Sequence, residues 1–451
     1  MNESSAKPAT PLLLLWIIAI GAVVRFAYND VTSYSSADEA HYVTAARVLS
    51  EEGWSKYPDL IRDQLDHPAE WFFPTRLRWG YLGLTTLACA VRSPCDARAL
   101  AWLSTLAGIA SIAFTFLLGA RLVGRRAATL AAALTITSPL QLAMGRRALQ
   151  DEVCCAVWLA ALWALIRLLQ GEGDGRRARA RERVATFVAL ATLSFAMKES
   201  FAFLYVAFVA IYLAFTRGRR LRIADAATLV APPALAFGGF VLLSGSASSF
   251  FALLRVTAVG VAAEYGLQYQ SGPPHRVLFD LFLLAPLVCV IGAGALWAVV
   301  TARREDRGGE RWLTLFFVIA VAAFMGLPKN LRFTVILDPI LRILAAWALV
   351  TMIEARGLWS GWLAVVALAN AGVELYLFHT IFIRGAVYDP TTYDVLYALR
   401  AVPTQNPEPT TWGAFPAAFF PAVVVVAASL RWDWHRKLLA ATSRASGPGA
   451  S

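Results

Sequence analysis

The sequence predicts an all-α, polytopic membrane protein of about twelve spans. Three observations carry that prediction. The 451 residues are 58% hydrophobic and only 16% charged, where an ordinary globular chain is about 25% charged. Apolar runs long enough to cross a bilayer, about 17–25 residues each, recur along the chain, and the mean hydropathy is +0.57. The runs are continuously apolar instead of alternating, which excludes a transmembrane barrel. The same figures exclude a soluble enzyme, a secreted disulfide scaffold and a disordered regulator.

Taken in order, the spans fall at 11–28, 99–119, 127–144, 150–170, 184–198, 200–216, 226–243, 278–300, 312–328, 333–353, 359–381 and 413–430. They form a single transmembrane domain over 1–430, followed by a tail at 431–451. The first span, from Pro11 to Tyr28, lacks a small-residue cleavage site and reads as retained. Arginine clusters at 121–126, 176–183, 217–222 and 303–311 follow even-numbered spans. The positive-inside rule makes those loops, both termini and the tail cytosolic. The opposite, outer face then receives a long first loop at 29–98 and further loops at 244–277 and 383–412. Within the first loop, 39–51 and 76–91 are amphipathic and read as interfacial helices. The expected setting is a bacterial inner (plasma) membrane, with the working face towards the periplasm or exterior, because long loops carry function.

The net charge of +11 belongs to those topology-setting loops, so no nucleic-acid partner is expected. None of the five cysteines has metal-ligand spacing. Cys89 and Cys95 could pair in an oxidising compartment, but two free thiols are the simpler expectation.

Ionisable residues gather on the outer face. Asp38 and Glu39 open a helix just past the first span, where the macrodipole favours ionised carboxylates. Two readings compete: Asp38 as an N-cap, and Asp38 as a base for an attacking hydroxyl. Asp151 and Glu152 open the fourth span on the same side. Lys198, Lys329 and Arg332 break the positive-inside pattern there and suit a phosphate near the outer leaflet. Arg342 lies deeper. Arg25 is expected to snorkel or to pair internally. His41, His67 and His275 are the outer-face histidines. With the carboxylates they could complete a divalent-metal site, the one cofactor the sequence admits.

The order of these segments resembles the GT-C superfamily of polyprenyl-phosphate-sugar glycosyltransferases. It is most similar to the family 39-like branch of protein O-mannosyltransferases and aminoarabinose transferases. The resemblance spans 11–350 and rests on five segments: Asp38-Glu39-Ala40-His41-Tyr42; His67-Pro68 with Arg78-Trp79-Gly80-Tyr81; Arg146 to Asp151; Met197-Lys198-Glu199; and Leu331-Arg332-Phe333 with Pro339. Phe333 stands where the family has Tyr, Met197 where it has Thr, and His67-Pro68-Ala69 where it has a double Pro. The resemblance implies a membrane glycosyltransferase moving a sugar, with inversion, from a polyprenyl-phosphate donor to a hydroxyl of a lipid, glycan or protein. It implies that Asp38, Glu39 and Asp151 are catalytic. Arg146, Lys198 and Arg332 would bind the donor phosphate, and Tyr42, His67, Glu152 and His275 would line the substrate site. The rival readings are a secondary transporter and a lipid-carrier flippase. Against the transporter, the ionisable residues cluster at the outer ends of the spans and not at midplane helix breaks.

Overall fold

The computed structural model describes residues 9–29, 36–68, 74–171, 177–217, 222–262, 273–302, 308–327, 330–385, 392–400 and 423–431. Most of the arginine-rich loop at 303–307, Lys329, the start of the span expected at 413–430 and the tail beyond 431 lie outside these residues. All regular structure among the described residues is helical. The α-helices in chain order are α1 (Ala9–Ala27), α2 (Ala37–Glu51), α3 (Tyr57–Asp66), α4 (Trp79–Val91), α5 (Ala97–Leu122), α6 (Arg125–Ile136), α7 (Pro139–Gly145), α8 (Asp151–Gln170) and α9 (Arg177–Met197). They continue with α10 (Phe201–Phe215), α11 (Ile223–Ser244), α12 (Ala247–Ala262), α13 (Arg276–Leu284), α14 (Pro286–Thr301), α15 (Glu310–Met325), α16 (Leu337–Ala355), α17 (Gly361–Phe378) and α18 (Thr392–Ala398). A 3₁₀ turn at Leu331–Thr334 precedes α16.

The count of twelve spans is not reproduced. Among the described residues, four helices are long and apolar enough to cross a membrane: α5, α8, α11 and α17 with its π-helical extension to Arg384. The bent pair α6–α7 makes a fifth. The other expected spans are helical over their described residues but do not qualify, for local reasons. Apolar helices such as α10 and α14 are short. The span expected at 278–300 is split at Ala285 by Pro286, because proline disfavours helix in the residue before it. α16 carries three charged residues, Asp338, Arg342 and Glu354. The segment 244–277 is not a plain loop, since α12 occupies its first half.

Local chemistry sets the ends of these elements. Asp96 caps α5 by accepting from the Ala99 amide at 3.0 Å. Gly245, at φ 72°, closes α11 in the left-handed conformation that glycine adopts at least cost. Between α6 and α7 the chain turns by 58° at Thr137-Ser138-Pro139. Ser138 caps α7 by accepting from the Gln141 amide, with Pro139 as its first residue. The core is built by α5, α6, α8 and α16, which pack on one another. α8 is buried along most of its length. α2 and α4 pack together beside α5, and α4 also contacts α9. Cys89 at the end of α4 is disulfide-bonded to Cys95 before α5, which corrects the expectation of two free thiols. Six positions apart on either side of a tight turn, their Cα atoms come within 4.6 Å, inside the range a disulfide needs.

Candidate active site

Five elements converge on one charged group: the start of α2, the start of α4, the start of α8, and the two turns that carry Lys198 and Arg332. Asp38, in the first turn of α2, accepts from Arg332 Nη1 at 3.0 Å. Asp151, the first residue of α8, accepts from Lys198 Nζ at 2.6 Å. The two pairs meet across a shared ring. Lys198 Nζ lies 4.5 Å and Arg332 Cζ 5.6 Å from the centroid of Phe333, inside cation–π range. Asp151 and Lys198 are buried, whereas Asp38 keeps partial exposure. The site is therefore open at Asp38 and closed at Asp151.

A second pair supports it. Arg78, just before α4, makes a forked contact with Glu199, Nε to Oε2 at 2.9 Å and Nη2 to Oε1 at 2.5 Å. Its Nη1 donates to the Tyr42 hydroxyl at 2.6 Å. Tyr42 meets Tyr81 edge to face at 4.7 Å. Gly80 makes the docking of α4 possible. A Cβ there would lie 2.8 Å from the Ala196 Cβ and 3.0 Å from its carbonyl carbon, closer than real Cβ contacts. Two buried polar atoms, Asp151 Oδ2 and the Tyr81 hydroxyl, have no hydrogen-bond partner, and Tyr81 is close enough to feel the Asp151 charge. Buried polar atoms are otherwise almost always bonded, so these two stand out in the charged group.

Burial alone would raise the Glu199 carboxyl, but the Arg78 charge and its hydrogen bonds outweigh it and hold the group below its usual range. A lowered native pKa contributes stability that is whole above the unfolded Glu value, about 4.3. That stability is lost as the pH falls below this value and through the native one. The melting temperature of the wild type should therefore exceed that of Glu199→Gln at pH 6. The gap should close as the pH falls below about 4. A gap independent of pH would mean that the Arg78–Glu199 charge pair contributes nothing.

The remaining expected residues divide. Glu39 is buried and its Oε1 accepts from the Ala148 amide at 2.9 Å, with Arg147 Nε 3.7 Å away. It braces α2 against the turn that leads to Asp151. Arg146 is half-buried at the end of α7, in that same turn. Glu152 is not brought to the group. Adjacent residues project about 100° apart on a helix, and its Oε1 accepts from Ser111 at 2.9 Å on the other side of α8. His67 is exposed at the end of α3 and contacts Asp63 of its own helix. His275 precedes α13, which packs on the 3₁₀ turn of Arg332, and its Nε2 is buried without a hydrogen bond. Arg25 points inward, not to the lipid headgroups. The sequence reading did not single out Arg78, Tyr81, Glu199 or Phe333 for the site, although each stands in a segment it quoted.

The described residues do not offer a ready divalent-ion site. No three His, Cys, Asp or Glu side chains come together among them. Asp38, Asp151 and Glu199 are each held by a Lys or Arg side chain.

Comparison with known proteins agrees with this geometry at the level of fold. Residues 84–243 match the family model of dolichyl-phosphate-mannose-protein mannosyltransferases. Among solved structures, the chain is similar to ArnT from Cupriavidus metallidurans bound to undecaprenyl phosphate. The identity is 17% and the TM-score 0.53, over 96% of this chain and 77% of that one. It is also similar to the oligosaccharyltransferase AglB from Archaeoglobus fulgidus in complex with an inhibitory peptide and a dolichol-phosphate. Here the identity is 15% and the TM-score 0.57, over 91% of this chain and 60% of that one. A further structure of the Archaeoglobus fulgidus oligosaccharyltransferase, with Zn and sulfate, aligns at 15% identity and TM-score 0.51, over 87% of this chain and 58% of that one. The chain thus spans under two thirds of the archaeal protein. No curated protein matches the sequence significantly. The chain thus shares its fold with these solved membrane-protein structures, and its residues 84–243 match the mannosyltransferase family model.

Proposed function

We propose that the protein transfers a sugar from a polyprenyl-phosphate donor to an acceptor hydroxyl, with inversion at the anomeric carbon. The observation that carries this reading is the pairing of two carboxylates with two cations around Phe333. A glycosyl transfer of this kind needs a base on one side of the sugar and positive charge on the other. Asp38, the partly exposed carboxylate, takes the proton of the acceptor hydroxyl as its oxygen attacks the anomeric carbon. The bond from that carbon to the phosphate oxygen breaks, and polyprenyl phosphate leaves with the electron pair. Arg332 and Lys198 stabilise the charge that develops on it. Asp151 holds Lys198 in place, and its second oxygen, with the Tyr81 hydroxyl, is available to a sugar or acceptor hydroxyl. Glu39 and Arg146 belong to the frame of this site.

In the resting arrangement Arg332 is bonded to Asp38. An incoming phosphate offers Arg332 a stronger bidentate partner and frees Asp38 to act as a base. No step is routed through a metal. AglB and ArnT, bound to lipid phosphates in their solved structures, support a lipid-phosphate donor here. The disulfide between Cys89 and Cys95 supports an outward-facing site, because disulfides persist in oxidising compartments and this one lies between α4 and α5 on the flank of the site.

The direct test is sugar release from a panel of radiolabelled polyprenyl-phosphate sugars, joined to a binding assay with polyprenyl phosphate alone. The wild type should turn over at least one donor, and Arg332→Met should weaken binding of polyprenyl phosphate about tenfold or more, the loss expected for a charge-assisted hydrogen bond. Binding unchanged in Arg332→Met would remove Arg332 from the phosphate site. Facilitated passage of a solute or lipid carrier, with no sugar release, would favour the transporter or flippase reading.

A further inference from the structure

A second charge cluster, with no part in the step above, surrounds the break between α6 and α7. The 58° bend strips three backbone carbonyls of their helical partners. The partner of the Thr135 carbonyl would be residue 139, a proline without an N–H. Two buried arginines replace those partners. Arg25 from α1 donates to the carbonyls of Thr135 and Ile136 at 3.3 and 3.4 Å. Arg342 from α16 donates to the carbonyl of Leu134 at 2.5 Å. Arg342 is held in turn by both oxygens of Asp338 through Nε, at 3.0 and 2.9 Å. Glu374 of α17 holds its other end, at 2.7 and 3.1 Å.

The break residues join the same cluster. Thr137 donates to Glu374 at 2.8 Å and Ser138 to Asp338 at 2.9 Å. Gln141 accepts from Arg25 at 3.1 Å. Every charged member is buried, and a charge at membrane depth is costly unless it is paired. A straight apolar helix would avoid the whole arrangement, and buried ion pairs are weak evidence of stability for its own sake.

The cluster is placed where both halves of the reaction group begin. Downstream of the break, α7 and a short turn lead to Asp151 at the head of α8. Upstream of Asp338, the 3₁₀ turn carries Arg332. We propose that the cluster positions the reaction centre, and that Glu374 is a positioning residue acting through Arg342 on the break. It holds the angle between α6 and α7, and with it the separation of Asp151–Lys198 from Asp38–Arg332. The kinetic part of this proposal rests on the glycosyltransferase reading. The structural part does not.

The test is Glu374→Gln in the full chain, a change that keeps shape and removes charge. Hydrogen–deuterium exchange is read over 139–151 and 330–338, with the melting temperature and, for an active wild type, kcat and KM. Exchange should rise in both segments by about tenfold, the loss expected for a charge-assisted hydrogen bond. The melting temperature should fall less than in Arg342→Met, and exchange in the rest of the chain should be unchanged. kcat should fall to a similar extent, with KM for the donor within twofold. Unchanged exchange in either segment overturns the proposal, as does a rise spread evenly over the chain with a fall in melting temperature as large as that of Arg342→Met. If Glu374→Gln does not fold, Thr137→Val removes one hydrogen bond to Glu374 without touching the α7 cap and is read by the same standards. A wild type inactive on every donor overturns the functional reading, while the exchange data still decide the structural one.

Discussion

Asp38→Asn is expected to lower sugar transfer about a hundredfold or more, the usual size of a lost general base. The substitution keeps the shape of the side chain and removes its ability to take a proton. The effect on donor binding should run the other way. In the proposed mechanism the donor phosphate competes with Asp38 for Arg332, which Asp38 holds in the structure, so removing the carboxylate charge removes the competitor. Affinity for polyprenyl phosphate should stay level or rise while turnover collapses. That split separates a lost base from a damaged fold, which would weaken both. The measurement is single-turnover sugar release beside equilibrium binding of polyprenyl phosphate to wild type and variant. Equal turnover in the two proteins would remove Asp38 as the base and shift attention to Asp151.

The largest expected effect on stability lies at Arg342. Replacing it with methionine leaves Asp338 and Glu374 buried around an apolar side chain. Breaking a buried pair in this way costs about 3–5 kcal/mol, and here two like charges are left facing the same space. The Leu134 carbonyl also loses its donor. Thermal unfolding in detergent should show a large loss for Arg342→Met. Adding Asp338→Asn and Glu374→Gln should restore part of it, since the charges that made the single change costly are then gone. Equal melting of Arg342→Met and wild type would contradict a buried, paired Arg342.

Much of this was legible in the sequence, and the parts that were not share a physical cause. Periodicity and run length report whether a segment is apolar and helical, so the positions of α1, α5, α8 and α11 were readable, as was the interfacial helix at α2. Neither property reports where a helix breaks under tertiary load. The break at Thr137-Ser138-Pro139 looked like the interior of one span, although its proline was visible. Single residues fared according to how local their geometry is. Adjacent acidic residues at a helix start announce themselves, but Asp151 and Glu152 point to opposite partners, and only the packing of α8 separates their tasks. Lys198 and Arg332 stood out because they broke the charge rule. Arg78 and Glu199 are far apart in sequence, and their contact depends on the docking of α4 against α9. The cysteine pair was visible, and its closure depended on a tight turn between two helices that composition does not encode.

Gly80 illustrates what that docking entails. It has no side chain and takes no part in any proton transfer. Yet the contact of Arg78 with Glu199 exists because a helix carrying Gly80 lies flush against Ala196. The residues proposed to react therefore do not form a portable set. A graft of Asp38, Asp151, Lys198 and Arg332 into another helical membrane scaffold would inherit their charges without their spacing. To inherit the spacing, the recipient would need a hydrogen atom where Gly80 has one.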